Sequence, residues 1–353
     1  VNVGVFMIKV VVVGGGWAGC AAALSAAKAG AQVLLLERTD LLLGTGLVGG
    51  IFRNNGRYTG AEEAIAMGGG DLFVAMDGNA RHKNISFPGH NHASLYDVTT
   101  MEPVIKKVLE NYGVEIKTNT RVVDVVKYSK KIQALVIDSG DEIKGDVFVD
   151  TTGTAGPMGN CLRYGNGCAM CVMRCPSFGP RISVTAKADI KEIMGRKADG
   201  SLGAMSGSCK LNKDSLSREI KEKLERDGVV VLPVPEKLQR LSSLGKKACT
   251  QYAISDYAVN LVLLDTGHAK LMTSYFPIEE LRTIPGLEQA RYEDPYAGSL
   301  GNSMRYLGIA PCNHTLQVEG AENLFCGGEK AAIVVGHTEA IITGLLAGNN
   351  AVA

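Results

Sequence analysis

The chain has almost no net charge: 37 lysines and arginines stand against 36 aspartates and glutamates, leaving +1. Proteins that hold phosphate backbones usually carry a basic excess. A nucleic-acid partner is therefore not expected, although the balance leaves room for a local basic patch. The sequence has no apolar run long and clean enough to span a membrane, so no membrane partner is expected. It has no internal repeat and no low-complexity linker. Val1 to Phe6 are apolar but have neither a basic start nor a cleavage site, and they lead straight into a core strand. They read as a short extension before an alternative start at Met7 rather than a signal peptide, and a cytoplasmic location is expected. In that compartment the nine cysteines point to metal or redox chemistry, or to buried thiols, rather than to a disulfide frame. With 353 residues, 46% of them hydrophobic, the chain can fill a large core and two domains.

The N-terminus carries the strongest signal. An apolar run, Ile8 to Val13, meets Gly14-Gly15-Gly16-Trp17-Ala18-Gly19 and then an alanine-rich stretch to Gly30. This is a strand, a glycine turn and a helix in the order a dinucleotide needs. Gly14 permits the tight turn, Gly16 lets backbone approach a pyrophosphate, and Gly19 lets the helix pack on the sheet. The helix N-terminus offers N–H groups and a positive dipole end to the phosphates. A second strand, Gln32 to Leu36, ends in Glu37, placed to bind the ribose hydroxyls, with Arg38 beside it. An acid there disfavours a 2′-phosphate, which favours FAD or NAD over NADP. Gly44-Thr45-Gly46-Leu47, within the glycine-rich stretch Leu43 to Gly50, reads as backbone lying against a ligand.

Further along, residues 100–112 predict a helix with Val104, Ile105, Val108 and Leu109 on one face. Short strands follow at 114–118, 121–127, 132–138 and 146–150, the last leading into Thr151-Thr152-Gly153-Thr154-Ala155-Gly156. An amphipathic helix is expected from about Asp214 to Arg226 and a strand from Val229 to Leu232. A strand then enters the turn Gly327-Gly328-Glu329, and a final helix runs from about Thr338 to Ala347. The stretch from His82 to His92 lacks metal-ligand spacing and reads as a surface loop.

These segments resemble the glutathione-reductase-type FAD fold: the glycine turn with Glu37, the strand ending Asp150-Thr151-Thr152-Gly153, and Gly327-Gly328-Glu329. More narrowly, Gly14 to Cys20, Ile284-Pro285-Gly286-Leu287-Glu288-Gln289-Ala290 and the tail from Asn323 to Gly348 resemble the flavoproteins that modify tRNA uridines. Those are the glucose-inhibited-division-type enzyme and the folate-dependent uridine methyltransferase. The resemblance covers roughly 1–50, 100–156 and 276–353. It implies an α/β fold, with a discontinuous Rossmann-like FAD-binding domain at 1–156 and 320–353 and an inserted α+β domain at 157–319. It further implies that Gly14, Gly15, Gly16, Trp17, Ala18 and Gly19 hold the pyrophosphate, and that Val122 contacts adenine through its backbone. Thr152 and Gly153 would flank the adenosine. Gly328 and Glu329 would lie along the ribityl chain, and Gly336 and His337 near the flavin ring. The sequence departs from the pattern at Tyr275, where the uridine methyltransferases carry a cysteine two residues before the proline of Pro277-Ile278-Glu279. The long C-terminal helical domain used for tRNA is also not in this sequence.

The insertion opens with Cys161, Cys168, Cys171 and Cys175, spaced C-x6-C-x2-C-x3-C and followed by Pro176. This resembles the ligand runs of [4Fe–4S] ferredoxins, though the first gap is longer, and it is not the paired pattern of a zinc ribbon. Three readings are open: iron–sulfur ligands, a redox pair (Cys168/Cys171 or Cys171/Cys175) facing the flavin, and ordinary buried thiols. Phe178-Gly179-Pro180-Arg181-Ile182 resembles the substrate-side loop of the tRNA flavoproteins, which makes Arg181 the candidate for an anionic substrate group. His337 is a candidate hydrogen-bond donor to the flavin or its reaction partner, or a helix-cap residue. Cys20 reads as packing, and Cys209, Cys249, Cys312 and Cys326 read as isolated.

The function expected from these readings is an FAD-dependent oxidoreductase. Electrons would pass between flavin, a cysteine-based centre in which Cys171 and Cys175 act, and a small molecule or protein carrier. With no second glycine-rich dinucleotide motif, NAD(P)H has no evident domain of its own. Two alternatives stand beside it: an FAD- and folate-dependent RNA-modifying enzyme, and an electron-transfer subunit of a larger complex. A homo-oligomer is compatible with all three.

Overall fold

The computed structural model describes residues 7–154, 182–196, 200, 204–205, 208–239, 241–246, 250–273, 276–293, 304–305, 308–332 and 336–353. The chain begins with β1 (Lys9–Val13), α1 (Trp17–Lys28) and β2 (Gln32–Leu36). A short helix α2 (Gly46–Gly49) and strand β3 (Ile51–Phe52) lead to α3 (Arg57–Ala66) and α4 (Asp71–Gly78). Then come β4 (Ala80–Phe87), β5 (His90–Tyr96), α5 (Met101–Asn111) and β6 (Glu115–Lys117). A meander β7 (Val122–Tyr128), β8 (Lys131–Ile137) and β9 (Glu142–Lys144) precedes β10 (Val147–Asp150).

Beyond α6 (Val184–Lys187) and the two-residue strands β11 (Ile193–Met194) and β12 (Ala204–Met205) lies a second sheet. It is built from β13 (Cys209–Leu211), β14 (Val229–Pro233), β15 (Asn260–Thr266) and β16 (His268–Leu271). Helix α7 (Arg218–Asp227) precedes β14, and α8 (Asp256–Val259) precedes β15. After α9 (Ile278–Leu281), β17 (Met304–Arg305) and β18 (Gly308–Ile309), the chain closes with β19 (Leu324–Cys326) and α10 (His337–Asn350).

The first sheet is parallel in the order β19-β10-β1-β2-β6, with Val13 in register with Leu36 on one side and Asp150 on the other. Its inner strands β1, β2 and β10 are largely apolar because both faces are covered, whereas the edge strand β6 is polar and exposed. Val10, Val12, Val33 and Leu35 face a core with α1, whereas Val11, Val13, Leu34 and Leu36 face a second core with Phe148, Leu135 and Cys326. Helix α10 lies against α1 through small residues. A Cβ on Gly344 would overlap the Ala18 carbonyl, and one on Gly348 the Ala22 carbonyl. The meander spans β6 to β10. Parallel order, crossover helix and meander are those of the Rossmann-like FAD-binding fold.

The second sheet is antiparallel, ordered β13-β16-β15-β14, and its core gathers Leu211, Ile220, Leu224, Val230, Leu263 and Leu271. Helix α7 starts at Arg218, four residues later than the periodicity suggests. A short 3-10 turn, Lys213–Ser215, comes first, and the Ser217 hydroxyl then caps the helix by accepting the Ile220 N–H.

The stretch from His82 to His92 is not a surface loop. It forms the body of the β4–β5 hairpin, which turns at Pro88 and Gly89 and pairs through β5 with β3. Its polar residues hide the strand signal because they serve tertiary contacts. The His90 ring stacks between Phe87 and Tyr252 at centroid distances of 4.5 and 4.6 Å. His82 Nε2 lies 2.9 Å from Asp265 on β15.

Asp265 is fully buried, yet it carries its charge among three donors from two parts of the chain: Arg81 at 3.0 Å and His82 on β4, and Lys213. Burial pushes its carboxyl up, but the bonds from His82, Lys213 and Arg81 hold it well below the usual carboxylate range. The hairpin and the second sheet are thus joined by an ion cluster as well as by the apolar contact of Phe87 and Leu95 with Val262 and Leu264. Asp265→Ala is expected to leave these donors uncompensated and to destabilise the fold by about 3–5 kcal/mol. Urea unfolding of the variant against the parent chain measures it.

Candidate functional site

The carboxyl ends of the parallel strands gather most of the candidate residues. Gly14 leaves β1 with φ +99°, a conformation that L side chains rarely adopt, and donates its N–H to Leu36 O at 2.8 Å. A Cβ there would fall 2.7 Å from the Thr151 carbonyl. The Thr151 hydroxyl lies 2.8 Å from both the Val13 and Gly14 carbonyls, so β10 clamps the turn from the far side. A Cβ on Gly19 would overlap the Gly14 carbonyl, so the first turn of α1 sits directly on the glycine loop.

Gly16 is different. It is the N-cap of α1, it has an ordinary extended conformation, and a Cβ placed on it meets no heavy atom within 4 Å. The space ahead of a 12-residue helix N-terminus is therefore open, and the first turn of that helix holds no acidic residue. The N–H groups of a first helical turn have no intrahelical acceptors. Open space, backbone donors and a positive dipole end fit a pyrophosphate.

Glu37 is buried at the end of β2. Its Oε2 accepts the Gly15 N–H at 2.8 Å, and its Oε1 accepts the N–H and hydroxyl of Thr39 at 2.8 and 2.9 Å. A carboxylate offers about four acceptor positions. Glu37 thus fastens the glycine turn and keeps capacity for a ribose hydroxyl. Arg38 is half-buried next to it. The Thr120 N–H donates to the Glu37 carbonyl at 2.8 Å, which brings buried Val122 to the same end of the sheet.

The Gly44–Leu47 segment lies against this turn. The Leu43 N–H donates to Gly15 O at 2.7 Å, and Leu43 bridges Gly16. The Tyr96 hydroxyl donates to Gly46 O at 2.6 Å, and Trp17 meets Tyr96 edge-on with centroids 5.9 Å apart.

From the other side, Gly153 follows Thr152, whose hydroxyl donates to Asp150 at 2.7 Å. The Thr154 hydroxyl donates to Glu329 at 2.5 Å, and a Cβ on Gly328 would stand 2.8 Å from Ala18. Gly336 caps α10, and the His337 imidazole lies over Gly49, its centroid 5.9 Å from both Trp17 and Tyr96. One locus therefore brings together Gly14–Gly19, Glu37, Gly44–Leu47, Thr152–Gly153, Gly328–Glu329 and Gly336–His337.

The cysteine candidates Cys161, Cys168, Cys171 and Cys175, together with Arg181, Tyr275 and Cys249, lie outside the described residues. Among the described residues no group of three or more His, Cys, Asp or Glu side chains is arranged to hold a metal ion, and no helix is long and apolar enough to cross a membrane. Cys20 is fully buried, with its thiol pushed up to about 12 by burial, in keeping with a packing role. The Cys312 and Cys326 thiols lie 3.7 and 3.6 Å from the Ala331 and Leu316 carbonyls.

Two lysines of the second sheet join the site without any local signal. Lys270 Nζ, on β16, donates to the Val48 and Gly49 carbonyls at 2.6 Å each, and Lys210 Nζ, on β13, to the Leu47 carbonyl at 3.2 Å. They cap the C-terminal end of α2, where the helix dipole favours cations. Lys270 is only 6% exposed. Burial, and then the neighbouring Lys210 cation, bring its pKa down to about 7.

The sequence model described as "Glucose inhibited division protein A" matches residues 9–252 and 262–353. Among solved structures, the chain resembles GidA of Aquifex aeolicus in its form II crystal, with a TM-score of 0.67 and 19% identity over 99% of this chain and 63% of that one. The form I crystal gives 0.66 and 18%, over 98% and 65%. This chain thus spans less than two thirds of the GidA length. It also resembles a 3-ketosteroid-delta4-(5alpha)-dehydrogenase from Rhodococcus jostii RHA1 (TM-score 0.53, 16% identity, 100% and 98% covered). A further resemblance is to CtdE, solved in complex with FAD (0.51, 12%, 96% and 83%). No curated protein matches the chain in sequence.

Two outcomes are expected. Gly16→Val should fold as the parent does, because the protein leaves that space free, but should lose bound dinucleotide. Flavin per chain, read beside the thermal midpoint, checks both. For Lys270 the folded pKa of about 7 lies below the ordinary value of 10.5, so the unfolded chain binds more protons between those values. Stability should therefore rise with pH across that window, by up to about 1.4 kcal/mol per pH unit. Urea titrations of the parent and Lys270→Met at several pH values should show that slope in the parent only.

Proposed function

Because this chain belongs to the glucose inhibited division protein A family and has the fold of its FAD-dependent enzymes, we propose that it uses FAD to modify uridines in RNA. The observation that carries the reading is the family match over 9–252 and 262–353, joined with the open, donor-rich space ahead of α1. Gly14–Gly19 would hold the pyrophosphate, Glu37 the ribose, and Gly328 and Glu329 the stretch toward the ring. FAD supplies, when bound, the hydride or electron transfer that these side chains cannot perform.

The chain's own residues bind and orient. The Glu37 carboxylate fixes Gly15, the lysine cap fixes α2, and Trp17, Tyr96 and His337 close an aromatic wall beside it. His337 stands at that wall as the candidate donor toward the bound ring. Tyr275 stands where the uridine methyltransferases carry a thiol, so this reading is uridine chemistry without a thiol at that position. The division into 1–156 with 320–353 and 157–319 is part of the same proposal, with the second part on the substrate side.

A second reading rests on the spacing of Cys161, Cys168, Cys171 and Cys175: a flavin–cluster electron-transfer enzyme working with a small molecule or protein carrier. One preparation separates them. Anaerobically purified protein is assayed for flavin, iron and sulfide per chain, and uridines of tRNA incubated with it are analysed by mass spectrometry. Flavin without iron, together with modified uridine, is the expected result. Stoichiometric iron and sulfide, lost in Cys171→Ser, with unchanged uridines, would replace this function with the cluster reading.

A further inference from the structure

We propose that Lys270 is a positioning residue of the site: it holds the Gly49 backbone on which the His337 imidazole rests, so that the second sheet sets where that ring stands. His337 is the side chain set beside the flavin ring in the function proposed above. Any consequence for turnover therefore rests on that reading, whereas the placing of the ring does not.

The contact begins at Gly49. A Cβ there would overlap both Cε1 and Nε2 of His337, so the imidazole edge lies directly on the Gly49 α-carbon. The ring also meets Trp17 and Tyr96, each with centroids 5.9 Å away and planes tilted by 44° and 46°. Gly49 is thus the floor of a three-sided seat, and the absence of a side chain is what lets the ring settle there.

Gly49 has little local support. It ends α2, a helix of a single turn, and so short a helix does not hold its shape alone. The carbonyls of a last helical turn have no intrahelical donors. Those of Val48 and Gly49 each accept from Lys270 Nζ at 2.6 Å, and that of Leu47 accepts from Lys210 Nζ at 3.2 Å. Lys210 and Lys270 are cross-strand partners on β13 and β16. At the next residue, Gly50 turns with φ +75°, and a Cβ on it would overlap the Thr266 side chain of β15. Three strands of the second sheet therefore carry the loop. Tyr96 is tied to the same loop, since its N–H donates to the Gly50 carbonyl at 3.0 Å and its hydroxyl to the Gly46 carbonyl at 2.6 Å.

Without Lys270, two carbonyls would lose their donor in a buried place, which is costly. Turning them toward water relieves that cost but tilts Gly49, and the imidazole follows its floor. Lys270 reaches the ring only through the Gly49 backbone, so what it sets is the depth and angle of His337. Tolerance there is small: a misplacement of about 1 Å can cost about a hundredfold in rate.

The test uses the full chain labelled with carbon-13 at Cε1 of its six histidines. Nuclear magnetic resonance compares Lys270→Met with the parent at matched flavin content, including none. His337→Gln identifies the His337 signal. His90, stacked between Phe87 and Tyr252, reports whether the fold is intact. Lys270→Met should move the His337 signal and leave that of His90 in place. Gly49→Ala, which keeps the lysine and pushes on the imidazole directly, should move the same signal. In turnover on tRNA uridines, Lys270→Met should lower kcat at least about tenfold and change KM less than about twofold. Added to His337→Ala, it should lower kcat no further. A His337 signal unmoved by either variant overturns the proposal. So does loss of the His90 signal in Lys270→Met, which would make the lysine a support of the whole fold, and so do additive losses in the double variant. If the His337 signal moves as expected but the parent modifies no uridine, the positioning stands and the function proposed above falls.

Discussion

The site depends on how closely the first turn of α1 sits on the glycine loop. Gly19 rests on the Gly14 carbonyl, and the Thr151 hydroxyl bonds that carbonyl and the one before it. A side chain at Gly19 would lift the helix off the glycine loop, and one at Gly14 would push that loop away from the Thr151 backbone. The contact aims the helix axis, and with it the first-turn N–H groups, at the space beyond Gly16. It also sets α1 at the depth where α10 can meet it through Gly344 and Gly348, and that docking brings Gly336 and His337 back to the same edge. A few ångströms of missing side-chain volume thus align segments that are more than 300 residues apart in sequence.

Much of this was legible beforehand because it is local. The valines of β1, the glycine spacing and Glu37 announce a strand–turn–helix unit without reference to anything distant, and the return of β10 and β19 to the sheet follows from their apolar runs into small-residue turns. The illegible parts are those where a polar side chain serves a remote partner. His82 and His90 looked like loop residues because their partners, Asp265 and Tyr252, lie more than 160 positions away. Lys270 sits in a short strand where a lysine reads as solvent-facing, and only the tertiary fold shows that it caps α2.

Near-zero net charge hides strongly placed charges. Asp265 and Lys270 are both buried at the second sheet, and their environments differ in kind. Asp265 is surrounded by side-chain donors from Arg81, His82 and Lys213, so its ionised form is stabilised. Lys270 meets only backbone carbonyls, and burial, together with another cation nearby, loosens its proton. The first acts as a fixed structural ion. The second changes protonation state near neutrality at a position that touches the glycine-rich loop.

The lysine cap also bears on how such a chain can be taken apart. Lys210 and Lys270 belong to the second sheet, but the carbonyls they satisfy belong to the loop that leans on the glycine turn. The second sheet is therefore not an interchangeable cassette. A chimera that exchanged it for the corresponding sheet of a relative without these lysines would leave carbonyls of α2 without their donors, even with both junctions joined cleanly. Changes in the second sheet and in the Leu43–Gly50 loop are mechanically tied and would have to be made together.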